Sequence, residues 1–195
     1  PNTNIEQIVS TLISLGKPLR VQPVFLYALP TPKEATSWRS WGGIQTESAV
    51  TEEIARISRE LTRLAAGADF RIDFRPVARV TSAEDIAKLS PAAYDVTLLY
   101  ACTGRGELLR ACLNLKPDTV VFVRHESGPV YYWYEALSTR YLRTDPPGAA
   151  PKDNTDLPNA HVDDVVVDDP AELLWRLRAL FGVHNLRGTR IVALG

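Results

Sequence analysis

The chain has 195 residues, 45% hydrophobic and 23% charged, with a formal net charge of −1. These are the proportions of one good-sized globular domain. A near-neutral balance without a basic stripe argues against nucleic acid or acidic membranes as partners, and no apolar run approaches the roughly 20 residues that a membrane helix needs. Cys102 and Cys112 do not make a disulfide framework and read as buried free thiols. The chain starts at Pro1 and contains no methionine, so its amino end is expected to have been trimmed. A cytoplasmic protein is expected, with a cleaved export signal as the open alternative.

Apolar residues at 5, 8, 9, 12 and 15 give helical spacing from Ile5 to Leu15, closed by Gly16 and Pro18. Val21 to Leu29 reads as the first strand, with Pro23 near its start, where a missing N–H is tolerated. The connection from Pro30 to Gln45 is long for a strand-to-helix loop. It carries Trp38, Arg39 and Trp41 beside a Gly-Gly pair, and loops of this size are often functional. Thr46 to Ala66 is the strongest helix. Val50, Ile54, Ile57, Leu61 and Leu64 form one stripe, Glu52 can pair with Arg56, and Gly67 caps the end. Phe70 to Phe74 alternates as an edge strand does. Thr81 to Leu89 is a short helix with a capping box from Thr81 to Glu84.

Val96 to Cys102 and Thr119 to Val123 are short and almost wholly apolar. Between them lie Thr103-Gly104-Arg105-Gly106 and an amphipathic stretch, Glu107 to Leu115. That pattern is a parallel β-α-β unit covered on both faces. Val130 to Leu142 is aromatic-rich and read as helix, although Tyr131 to Tyr134 also suits a strand. Thr144 to Asn159 reads as an irregular surface loop. Val162 to Val167 is a strand. Asp168-Asp169-Pro170-Ala171-Glu172 then opens a helix, with Asp at the cap and Pro inside the first turn. Leu173, Leu174, Leu177, Leu180 and Phe181 form its buried face. Gly182 and Gly188 bracket a turn before a last strand, Arg190 to Leu194. The alternation predicts an α/β fold: a three-layer Rossmann/flavodoxin-like domain with a mostly parallel sheet. It spans residues 1–188, with 189–195 either its final strand or the start of a second α/β domain of a longer protein.

Ligands of open parallel sheets bind beyond the carboxyl ends of the strands. Here those ends carry Thr103-Gly104-Arg105-Gly106 and His125-Glu126. The first segment follows a strand and opens a helix, so its backbone N–H groups suit an anion. It is neither a full dinucleotide fingerprint, since Leu109 stands at the third glycine position, nor a P-loop; a plain tight turn is the competing reading. His125 and Glu126 can act as an acid/base pair only if the chain turns there, because adjacent strand residues face opposite sides. Trp38 and Trp41 can stack on sugar C–H faces, with Arg39 binding hydroxyls or carboxylates, or can simply pin the loop to the core. Tyr131 to Tyr134 suits packing or a subunit interface. No spacing of His or Cys makes a self-contained metal site. Capping and a solvated strand edge account for Asp163, Asp164, Asp168 and Asp169, and His161 and His184 read as structural. No Gly-x-Ser-x-Gly elbow is present.

The runs TSWRSWGGIQTESAVTEEIARISRELTRL, YDVTLLYACTGRGE, VVFVRHESGPVYYWYEAL and ELLWRLRALFGVHNLRGTRIVALG resemble the amino-terminal part of sugar isomerases of the L-fucose/L-arabinose isomerase superfamily. The resemblance runs from about residue 20 to the end and is one of layout and texture. It implies a flavodoxin-like first domain that builds a homo-oligomer and lends aromatic residues to a neighbour's sugar pocket, a role that Trp38 and Trp41 fit by position. It also implies that the divalent metal, manganese, is held by Glu, Asp and His of later domains, so no cofactor is expected on this chain and no catalytic residue is carried over. The alternative is a stand-alone module that binds a sugar or sugar phosphate without chemistry.

Overall fold

A computed structural model describes residues 16–31, 43–126, 129, 131, 138–144, 160–187 and 189. The elements are β1 (Leu19–Leu26), α1 (Glu47–Gly67), β2 (Ile72–Phe74), β3 (Ala78–Val80), α2 (Ala83–Ala87), β4 (Val96–Ala101), α3 (Gly106–Leu113), β5 (Thr119–Val123), β6 (Val165–Val167) and α4 (Pro170–Leu186). All strand pairs are parallel. The sheet has six strands in the order β2-β1-β4-β5-β6, and β3 also pairs with β1. Because β2 runs beside Leu19 to Val21 and β3 beside Val24 to Leu26, the two are halves of one interrupted edge strand. Counted so, the order becomes 2-1-3-4-5, the flavodoxin-like arrangement, and the three-layer α/β architecture read from the sequence is the one observed. Among the described residues, no helix is long and apolar enough to cross a membrane.

The apolar runs explain the centre of the sheet. Every residue of β4 and β5 is buried, as strands covered by helices on both faces must be. Thr46 caps α1 by accepting the N–H of Ala49, and Val50, Ile57 and Leu61 bury its stripe. Just past the end of α1, Phe70 packs on Phe181 of α4, ring centroids 5.2 Å apart, and Asp69 pairs with Arg178. Asp169 caps α4 through the N–H groups of Ala171 and Glu172, with Pro170 behind it.

Pro23 is placed differently from expectation. It lies in the middle of β1, a central strand with neighbours on both sides. Alternate residues of a parallel strand turn their polar groups to alternate sides. Val21 accepts from Arg75 of the edge segment, while Leu26 accepts from Cys102 after β4. Pro23 therefore aims its missing donor at the edge strand, at the point where β2 gives way to β3. Pro76 sits in that gap and also lacks an N–H. The side-chain amide of buried Gln22 supplies the donors, at 2.9 Å to the Pro23 carbonyl and 2.9 Å to that of Pro76.

Other boundaries shift for local reasons. Ser82 rather than Thr81 caps α2, because Asp85 gathers the Thr81 and Ser82 groups and leaves Glu84 outside the box. Residues Val162–Asp164 form a 3-10 turn, not strand, since His161 and Asp164 cap one another there. Gly182 lies inside α4. Arg56 pairs with Glu53 and Glu60, while Glu52 accepts from Ser48. The predicted helix at 5–15 and last strand at 190–194 lie outside the described residues, as do nearly all of the predicted helix at 130–142 and the loop at 144–159.

Candidate functional site

In the 2-1-3-4-5 order, the crevice where the strand order reverses lies between β1 and β4. The chain leaving β4 turns there at Thr103-Gly104-Arg105-Gly106. Thr103 fastens this turn to the exit of β1: its hydroxyl donates to the Ala28 carbonyl at 3.0 Å and accepts the Ala28 N–H at 2.9 Å. Gly104 has φ 142°, a backbone that side chains rarely adopt. Arg105 is the N-cap of α3 and makes no side-chain cap bond; Glu107 places a carboxylate in the first turn, where the helix dipole favours it.

A cleft of about 540 Å³ opens at this crevice. Ala28, Leu29 and the Gly104-Arg105 turn form one side, Thr81 to Glu84 the other, and Glu107 and Leu108 line it from α3. The far wall is rigid. Asp85 accepts from the Thr81 N–H and hydroxyl, from Ser82 and from Lys88. The Lys88 contact first, and then the Thr81 and Ser82 groups, hold its carboxyl well below the usual carboxylate range. The cleft thus combines polar backbone, hydroxyls and charges of both signs on a braced frame, which suits a small polar molecule.

His125 and Glu126 sit one strand further along, where the chain bends after β5. The bend brings their side chains together with that of Asp168: one ligand atom from each of the three lies within 4.8 Å of the others. Asp168 follows β6 with φ 54°. Its carboxylate accepts the N–H groups of His125 and Glu126, each at 2.9 Å. The pair is therefore held by a latch between the ends of β5 and β6, each oxygen of Asp168 accepting one backbone N–H. Asp164 and Asp169 are capping residues, as their sequence context suggests.

Sequence reasoning missed a buried charge cluster at the same sheet end. Arg124, 4% exposed, leaves β5 toward α1 and meets Glu53, 5% exposed, with Nε 3.2 Å from Oε1. It also pairs with Glu60, while the Tyr131 hydroxyl donates to Glu53. Burial and the Glu53 charge raise the Tyr131 phenol, so it stays protonated. Burial alone would lower Arg124, but the hydrogen bond to Glu60 and the charges of Glu60 and Glu53 turn the net shift upward, so it stays charged. One signal was in the sequence: Glu53 falls between Val50 and Ile57 on the apolar stripe of α1, where a carboxylate requires a partner.

Of the residues singled out from the sequence, the structure thus places Thr103, Gly104, Arg105 and Gly106 at the switch point and His125 with Glu126 at the neighbouring strand end. Trp38, Arg39 and Trp41 lie outside the described residues. Cys102 and Cys112 are buried and form no disulfide; burial pushes both thiols up to about 12, which makes them poor nucleophiles. His184 contacts Asp118 at 2.9 Å, a structural contact. No protein-family model, no curated protein and no solved structure matches this chain.

Proposed function

We propose that this domain is the amino-terminal assembly and substrate-rim domain of a metal-dependent aldose–ketose isomerase, lending the carboxyl edge of its sheet to a sugar pocket that other domains complete. The observation that carries the binding part is the coincidence of the braced 540 Å³ cleft with the switch point between β1 and β4. The isomerase part is supported by the sequence resemblance, whose implied flavodoxin-like layer agrees with the strand order. Manganese in this reading belongs to Glu, Asp and His of other domains.

A second reading is a stand-alone module that binds a sugar or sugar phosphate without catalysis at this cleft, where backbone, hydroxyls and charges of both signs meet. Two measurements separate them. The protein as its native host makes it, assayed with manganese, interconverts an aldose and a ketose under the first reading and does not under the second. Titration of the 195-residue chain with sugars, followed by tryptophan fluorescence, gives saturable quenching that is lost in Trp38→Ala and Trp41→Ala under the second reading, and little change under the first. Absence of both isomerisation and sugar binding sinks both.

A further inference from the structure

α4 is apolar on two opposite faces. Leu173, Leu177 and Phe181 turn one of them into the core. The other carries Trp175, Ala179, Gly182, Val183 and Leu186, spaced so that they form one row along the helix. All five are exposed, Trp175 at 63% and Leu186 at 65%. Among the described residues, every exposed large apolar side chain lies between Val162 and Leu186, and three of them stand on this face. A helix that is apolar all round belongs in an interior, so the outer face of α4 calls for a cover. The row also has relief. Trp175 is a raised end, braced by Arg176, whose Cζ lies 5.7 Å from the ring centroid and whose Nη2 pairs with Glu172 at 2.9 Å. Leu186 is the other raised end, about three turns further on. Ala179 and Gly182 form a saddle between them. A Cβ at Gly182 would meet nothing within 4 Å, so no contact inside this copy calls for a glycine there, and glycine weakens a helix interior. Asp169 and Glu172 stand at the amino end of the helix and Arg187 at its carboxyl end.

We infer that this face is a two-fold interface between copies of this chain, with α4 crossing α4 of the second copy antiparallel at the Ala179–Gly182 saddle. A two-fold axis requires a surface that is complementary to itself. Antiparallel pairing centred between Ala179 and Gly182 meets that requirement in three ways. It lays Trp175 of each copy against Leu186 of the other, because the two lie equally far from the centre. It sets small residues opposite small ones, so the backbones approach closely. It places the acidic end of each helix beside the basic end of the other. Glu172 and Arg187, each already paired within its own chain, then join one network across the axis, and the helix dipoles run in opposite directions. Parallel pairing would instead set Trp175 on Trp175 and acid beside acid. One helix face is a small interface, so the dimer is expected to dissociate on dilution. The inference stands on α4 alone and holds under either reading of the cleft.

The test is sedimentation velocity of the 195-residue protein from micromolar to millimolar concentration. The expected result is a reversible monomer–dimer equilibrium whose dissociation constant rises roughly tenfold or more in Ala179→Arg, which sets two like charges across the saddle. Ala179 is exposed and arginine is a good helix former. This variant should therefore melt with the unchanged protein when both are dilute, and its loss of pairing is not a loss of fold. On mild oxidation, an equal mixture of Trp175→Cys and Leu186→Cys copies should give a cross-linked dimer that neither variant gives alone, which reports the antiparallel register. Cys102 and Cys112 are buried and stay out of that reaction. A protein that stays monomeric throughout, as it would if another segment of the chain covered the face, overturns the inference. Cross-linking of either variant with itself does the same. A dimer that Ala179→Arg leaves intact overturns it too, while the assembly role proposed above stands on another surface. Aldose–ketose interconversion tests the isomerase reading separately from all of these outcomes.

Discussion

Replacing Arg124 by methionine should be among the most damaging single changes in the sheet, and the buried cluster shows why. Glu53 would remain buried with its main counter-charge gone, and removing one partner of a buried ion pair costs about 3–5 kcal/mol. Arg56 stands 3.8 Å from Glu53 and 3.3 Å from Glu60 and offsets part of the loss. The expected cost is therefore about 3 kcal/mol, which for a domain of this size lowers the melting temperature by about 6–12 °C. The second change, Glu53→Gln, removes the charge but keeps an oxygen to accept the Tyr131 hydroxyl. In the Arg124→Met/Glu53→Gln double variant no uncompensated buried charge remains, so it should be no less stable than Arg124→Met alone. Urea unfolding of the four proteins at pH 7 closes the cycle. A cost under about 1 kcal/mol for Arg124→Met, or a double variant as unstable as the two single effects added, would show that the cluster is not the electrostatic unit described.

Gly106→Ala should cost about 1–3 kcal/mol by overpacking against Tyr141, and less in a Tyr141→Phe background, which removes the hydroxyl nearest to the new Cβ; thermal melts of both pairs decide it. Asp168→Ala should lose about 1–3 kcal/mol with its two hydrogen bonds, and Asp168→Gly about 1 kcal/mol less because φ 54° no longer strains a side chain. Amide exchange at His125 and Glu126 should quicken in both, and unchanged exchange would rule out the latch. Arg20 first, through its hydrogen bonds, holds the Asp95 carboxyl below its ordinary value. A folded pKa below the unfolded one contributes stability that is present above the unfolded pKa and lost as pH falls through the folded one. The urea midpoint should therefore drop below about pH 4, and drop less in Asp95→Asn; equal acid slopes in the two proteins would refute this.

The parts of the fold that were legible in the sequence are those governed by local periodicity. Val96 to Cys102 and Thr119 to Val123 could only be covered strands, the stripe of α1 was plain, and Asp169-Pro170 opened α4 as capping chemistry requires. Misplaced boundaries came from side chains competing for the same donors. Asp85 drew the α2 cap to Ser82, and His161 with Asp164 wound up what read as strand. The Thr103 to Gly106 turn was legible as a candidate site because its position after a strand already placed it at the carboxyl edge. The Arg124 cluster was not, since Glu53 and Tyr131 stand 78 positions apart and only the fold joins them. Asp168 was weighed as a cap for the same reason: its true partners, His125 and Glu126, belong to another strand end.

The facing prolines of β1 and the edge strand also bear on how copies of this chain meet. An uninterrupted border strand offers a ladder of free donors and acceptors along which a second molecule can extend the sheet. Here that border is two three-residue pieces, and between them Pro76 presents no donor at all. An incoming strand would find its register broken after one short stretch, and Lys, Pro and breaks of this sort are how sheets discourage unwanted growth. Among the described residues, the β2–β3 side is thus a terminus for the sheet rather than a seam, and a second copy would gain little by extending the sheet there.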